Sequence, residues 1–179
     1  MVYRFGHVPN LIWEEQMDIR GFFTIIFVLL LACQGISFAA DVGEECPKFT
    51  LKIIDGEKVQ SDAIKGKNPL LLVFWATWCS PCKEKIFELK KIYSEFQPKG
   101  LKIIAINPCI NDSLKKVKRF IKKHKISYPV FLDEGSTITK QFKINGLPTI
   151  VIVNKDGIIR YRAHELPKDF RKDFKSLTK

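Results

Sequence analysis

The residues best suited to chemistry are Cys79 and Cys82, in the stretch Trp78-Cys79-Ser80-Pro81-Cys82. Thiols at this spacing can close a disulfide or bind a metal, and the flanking sequence favours the disulfide. Leu70-Leu71-Leu72-Val73-Phe74-Trp75 is apolar throughout and rich in branched and aromatic residues, the pattern of a buried parallel strand. A helical pattern begins near Ser80, and Pro81 suits a first helical turn. Cys79 is therefore predicted at a helix N-terminus, where unpaired N–H groups and the positive end of the dipole favour a thiolate. That makes it the expected nucleophile. Cys82, one turn further in and expected to be less exposed, is the expected resolving thiol, which attacks a mixed disulfide and releases the reduced partner.

Other elements must hold this pair in place. Phe49 to Ile54 and Val59 to Ser61, joined through Asp55-Gly56, read as a hairpin. Ile86, Leu89, Ile92, Tyr93 and Phe96 recur at helical spacing after the cysteines until Pro98 and Gly100 stop the helix, and Leu101 to Ile106 is the next buried strand. These form a βαβ crossover with parallel strands. Asn111 or Asp112 is expected to cap a further helix with Leu114, Val117, Phe120 and Ile121 inward. Tyr128 to Leu132 reads as a strand and Ser136 to Phe142 as a short helix. Thr149 to Val153 and Ile158 to Ala163 read as an antiparallel hairpin, and Lys168 to Leu177 as a closing helix.

Phe74-Trp75-Ala76-Thr77-Trp78-Cys79-Ser80-Pro81-Cys82-Lys83 resembles the active-site segment of the thioredoxin superfamily. The branch it is most similar to is the TlpA-like extracytoplasmic thiol:disulfide oxidoreductases, whose domain is of the AhpC/TSA-redoxin kind. Cys46-Pro47-Lys48-Phe49-Thr50-Leu51 and Gly146-Leu147-Pro148-Thr149 extend the likeness, the latter resembling the family's cis-proline loop. The resemblance implies an α/β, thioredoxin-like domain over residues 43–179: a central mixed β-sheet flanked by helices, an N-terminal hairpin and a central helix-strand-helix insertion. It implies a cis bond before Pro148, substrate contacts from Trp78, Leu147, Pro148 and Thr149, and no cofactor. Protein thiols and disulfides are the implied substrates, cytochrome c precursors among them. A membrane-embedded electron donor would restore the dithiol.

Two positions depart from the family's pattern. The buried aspartate of thioredoxins aligns with Val73, and the glutamate that the branch often carries three residues after its second cysteine aligns with Lys85. Glu84 and Lys85 are thus the candidates for proton transfer or thiol tuning. Glu84 is expected to face solvent, since helix neighbours point about 100° apart. Lys85 is expected to face solvent too, and would lower the pKa of the thiols by its charge if it pointed inward.

The chain has 179 residues, enough for one core, and five cysteines. Its formal charge is +11, but the basic residues are not interleaved with aromatics, which argues against a nucleic-acid partner. Lys115, Lys116, Lys118, Arg119, Lys122, Lys123 and Lys125 crowd one predicted helix. They form either a solvated surface or a docking face for anionic lipid or an acidic partner. Arg20, the apolar run Phe22 to Ala32, Gly35 and the small residues Ser37 and Ala39 have the layout of a signal peptide over residues 1–39, with translation starting at Met1 or Met17. An uncleaved membrane anchor and lipidation of Cys33 are the alternatives. All three place the domain in the periplasm or otherwise outside the cytoplasm, where a disulfide persists. Cys109 is a buried bystander, a partner for Cys46, or a third redox thiol. Competing functions are Cu(I) delivery through Cys79 and Cys82, for which no histidine has metal-motif spacing, and a peroxiredoxin-like peroxidase. The latter wants a threonine three residues before its cysteine, and counting three on from Thr77 reaches Ser80.

Overall fold

The computed structural model describes residues 40–178 except 55, 57, 65 and 66. The expected leader, with Met17 and Cys33, lies outside the described residues. In chain order the elements are β1 (Thr50–Lys52), β2 (Lys58–Gln60), α1 (Ser61–Ile64), β3 (Leu70–Phe74), α2 (Ser80–Phe96), β4 (Lys102–Asn107) and α3 (Leu114–His124). There follow β5 (Val130–Leu132), α4 (Thr137–Gln141), β6 (Thr149–Val153), β7 (Ile159–Ala163) and α5 (Phe170–Leu177). The main sheet has the order β5-β4-β3-β6-β7, and β1 and β2 form a separate antiparallel pair. β3, β4 and β5 run parallel, whereas β6 is antiparallel to β3 and to β7. This is the mixed sheet of the thioredoxin-like fold, with α3, β5 and α4 as the insertion between β4 and β6.

The pleat explains why the strands are apolar without alternation. Successive side chains point to opposite faces, so a sheet covered on both sides needs hydrophobic residues at every position. On one face Leu71, Val73, Ile103, Ala105, Ile150 and Ile152 pack with Ile86 and Leu89 of α2, Val117 and Phe120 of α3, and Phe170 of α5. On the other, Leu70, Leu72, Phe74, Ile104, Ile106 and Val151 pack with Phe49 and Leu51 of the N-terminal segment and hairpin, Ile138 of α4 and Phe142. α2 ends in a 3-10 turn over Gln97–Lys99, closed by Gly100 at φ 94°, a left-handed conformation that glycine adopts without a Cβ clash.

The start of α3 departs from expectation. Its cap is Ser113, whose Oγ accepts the Lys116 N–H at 3.3 Å, in place of Asn111 or Asp112. Leu114, expected inside, is 46% exposed. Asp112 is unavailable as a cap because other donors already hold both its carboxylate oxygens. The hairpin is shorter than read and closes with the Gly56 N–H donating to the Ile53 carbonyl at 3.2 Å; Asp55 lies outside the described residues.

Arg162 of β7 ties distant segments together. Its guanidinium donates to the carbonyls of Ala40 at 2.6 Å, Phe142 at 2.8 Å and Lys143 at 3.0 Å. Phe142 is fully buried, with its ring 5.5 Å from that of Phe74 and 6.0 Å from that of Phe49. Replacing it should open a cavity against the central strand. Phe142→Ala is expected to lower unfolding stability by about 3–5 kcal/mol, read from the denaturant midpoint at unchanged slope. A loss under about 1 kcal/mol would mean that the second face is not packed as described.

Candidate active site

Cys79 caps α2, and its Sγ lies 3.2 Å from the Cys82 N–H, which donates to it. The sulfurs of Cys79 and Cys82 are joined in a disulfide with Cα atoms 5.3 Å apart. Pro81 occupies the first turn, where the lost N–H costs nothing. The expected difference in exposure is not found, since both cysteines are 4% exposed. In the disulfide the two sulfurs share one cover.

Strand register assembles the surroundings. Phe74, the last residue of β3, pairs with Ile106 of β4 and with Thr149 of β6. The cysteine loop, the loop after β4 and the Gly146–Pro148 loop therefore all leave the sheet at one edge. The Leu147–Pro148 bond is cis, as the resemblance implied, and Leu147 packs on the cluster that contains both cysteines. Thr149, itself buried, donates from Oγ1 to the Gly146 carbonyl at 2.7 Å. Trp78 is 50% exposed, and its indole N–H donates to the Ile110 carbonyl at 2.7 Å. Ile110 is itself exposed, so the two side chains give the rim of the site an apolar surface.

Three residues without a part in the site as read from sequence hold these loops. Asp112 is the first. One carboxylate oxygen accepts the Thr77 N–H at 2.8 Å and the Asn107 side-chain amide at 2.7 Å, and the other accepts the Thr77 hydroxyl. It binds the loop after β4 to the residue two before Cys79. His164 is the second: its Nδ1 lies 2.7 Å from the Pro148 carbonyl, and because a carbonyl only accepts, Nδ1 carries the hydrogen. A Cβ on Gly146 would sit 3.0 Å from the same ring, so a side chain there would press on the imidazole. Glu165 is the third and pairs with Lys85 of α2. The antiparallel pairing of β6 with β7, which sets Ile150 opposite Ala163, brings His164 near Pro148, but nothing in that pairing directs Glu165 to Lys85. The local signal at Asp112 is that of a helix cap only.

Lys85 is thus corrected. It was expected to face solvent, yet its side chain is 19% exposed and engaged by Glu165. The hydrogen bond that Lys85 donates to Glu165 raises its pKa against the opposing effect of burial, which keeps it a cation and unable to take a proton at neutral pH. Glu84 is exposed, as expected. Val73 is buried and apolar, so no carboxylate lies under the disulfide at that position. Cys46 and Cys109 are not bridged, which removes the pairing alternative. Burial, followed by the charges of Glu134, Asp133 and Asp112, pushes the Cys109 thiol above its ordinary range. It is therefore a poor competitor as a thiolate.

Fold and site together define a thioredoxin-like thiol:disulfide oxidoreductase. The profile of the AhpC/TSA family matches residues 42–162. The thiol-disulfide oxidoreductase ResA of Bacillus thuringiensis subsp. konkukian is 31% identical over 143 residues, which span 74% of this chain and 81% of that protein. Among solved structures, StoA from Bacillus subtilis aligns with a TM-score of 0.59 at 28% identity, over 65% of this chain and 87% of that one. The thioredoxin domain of a thiol-disulfide oxidoreductase from Bacteroides vulgatus has a TM-score of 0.67 at 23% identity over 78% and 99%, a likeness of fold. The chain belongs to the AhpC/TSA family and stands among its TlpA- and ResA-like thiol:disulfide oxidoreductases.

The Asp112 contacts carry a prediction. Asp112→Ala leaves the Thr77 and Asn107 donors without an acceptor and should cost about 2 kcal/mol of stability while slowing disulfide reduction. Asp112→Asn should lose less than half as much, because an amide still offers one oxygen and the Thr77 hydroxyl can turn to accept. Denaturation and insulin reduction, run on both variants, decide the matter. An alanine variant with wild-type stability and rate would remove Asp112 from the site.

Proposed function

We propose that Cys79 and Cys82 are the redox centre and that the protein reduces disulfides of client proteins outside the cytoplasm. One observation carries the reading: at the head of α2 the Cys82 N–H is already directed at the Cys79 sulfur, so a thiolate formed there gains a hydrogen bond as well as the helix dipole. The reduced Cys79 thiolate attacks one sulfur of a client disulfide, forming a Cys79–client bond and expelling the other client sulfur as a thiolate. Cys82 then loses its proton and attacks the Cys79 sulfur. The Cys79–Cys82 bond closes and the second client thiol departs, so that two electrons pass to the client. A membrane-embedded thiol donor returns them.

Trp78, Leu147, Pro148 and Thr149 are the substrate contacts in this reading, supported by their place at the edge of the sheet where the cysteines emerge. Cytochrome c precursors, whose haem-binding cysteines must be reduced, are the clients we favour, on the resemblance to the cytochrome-maturation branch. Export rests on the leader-like pattern of residues 1–39. No helix among the described residues is long and apolar enough to cross a membrane.

In the reduced protein at neutral pH, Cys79 should be the first thiol alkylated by iodoacetamide, and Cys82→Ala should trap clients as mixed disulfides on Cys79. Mass spectrometry of tryptic peptides reads both. Faster labelling of Cys82 or Cys109, or trapping by a Cys79→Ala variant instead, would reverse the roles. N-terminal sequencing of native protein separates a start at Ala40 from one at a lipidated Cys33 or upstream of Phe22.

A further inference from the structure

Beside the cysteines lies a cleft of about 340 Å³ that the exchange chemistry does not use. Lys83, in the first turn of α2, and Lys116, Arg119, Lys123 and His124 of α3 line it. Thr77, two residues before Cys79, also borders it, as does the ring of Phe120, which packs 5.1 Å from Trp75 and 4.2 Å from His124. On α3 the positions 116, 119 and 123 follow one helical stripe, so these cations share a face, while Lys115, Lys118, Lys122 and Lys125 do not line the cleft.

Among the described residues no carboxylate lines the cleft. α3 contains no acidic residue, and Glu84 and Glu88 of α2 do not line the cleft. Asp112 spends its oxygens on Thr77 and Asn107. Among the described residues Lys83, Arg119 and Lys123 have no ion-pair partner, and Lys116 meets only the Asn111 carbonyl, at 3.2 Å. His124 reports the same field, since burial and then the charges of Lys123, Lys83 and Lys90 hold its pKa below the ordinary value.

We infer that this cleft is a docking site for acidic side chains on the protein whose disulfide the Cys79–Cys82 pair exchanges. The inference rests on the redox reading above. The cations converge from two helices into a concavity, and that concavity begins at the loop carrying Cys79. A carboxylate bound in it therefore belongs to whatever molecule has brought a disulfide to the cysteines. Such contacts raise the rate of encounter and fix the orientation of the client, and salt weakens them.

The test uses two synthetic peptides with the same internal disulfide, one flanked by Asp and Glu and the other by Lys, with uncharged 2-hydroxyethyl disulfide as the reference. Rates of oxidation of the reduced full-length protein are followed by tryptophan fluorescence. The acidic peptide should react about tenfold faster than the basic one in about 20 mM salt, and less than about twofold faster in about 0.5 M salt. In a variant combining Lys116→Glu, Arg119→Glu and Lys123→Glu the order of the peptides should reverse, the ratio being read within that protein. The salt comparison needs no variant, so a triple variant that fails to fold does not spare the inference. Equal peptide rates with the neutral disulfide turned over would overturn the docking site alone. No turnover of the neutral disulfide would overturn the redox reading. Wild-type protein that co-sediments with phosphatidylglycerol vesicles yet treats both peptides alike would assign the cations to a lipid surface and likewise overturn the inference.

Discussion

The site depends on three strand ends stopping at one level. Phe74 is paired with Ile106 on one side and with Thr149 on the other, so the chain leaves β3, leaves β4 and arrives at β6 along a single edge. A slip of one residue in either pairing would turn every side chain of a strand to the opposite face of a sheet that is apolar on both, and would carry Leu147-Pro148 away from the cysteines. What fixes the register is therefore the two packed layers, one beneath α2, α3 and α5, the other beneath the N-terminal segment and α4. The redox chemistry is local, but its geometry belongs to the whole sheet.

Around that edge the polar groups are shared out so that each loop is held by a partner from a different element. Asp112 joins the cysteine loop to the loop after β4, and Asn107, fully buried, donates to Asp112 while its own oxygen accepts the Cys109 N–H at 2.9 Å. His164 and Glu165, adjacent at the end of β7, reach in two directions, one to the carbonyl of Pro148 and the other to Lys85 on the cysteine helix. A buried donor or acceptor left unpaired would cost more than one such bond contributes, which is why the loops have little freedom to rearrange. The two positions at which the resemblance led to an acid hold Val73 and Lys85, and Lys85 is paired with Glu165, two residues beyond β7.

Much of this was legible before any coordinates. An unbroken apolar run followed by a cysteine pair and Pro81 admits few readings, and the turn residues placed the later strands within a residue or two. The errors fall where a tertiary contact chooses among local equals. Asn111, Asp112 and Ser113 are all good helix caps, and Ser113 caps because the carboxylate beside it is engaged from across the sheet edge. Lys85 looked solvent-facing because its partner, Glu165, lies far along the chain, and the packing of the segment after β7 against α2 has no local signal. Cys79 and Cys82 were ranked by exposure from their place in a helix, a ranking that bonding the two sulfurs to one another erases.

Arg162 has a mechanical consequence. By holding the carbonyl of Ala40, it fastens the first described residue to β7 and to the turn after α4. Ala40 packs in the layer opposite the one that contains Cys79 and Cys82. A displacement of Ala40 is thus resisted first by that guanidinium on the edge strand. It reaches the cysteine helix only through the full thickness of the sheet, on the face away from the bond that the cysteines make and break.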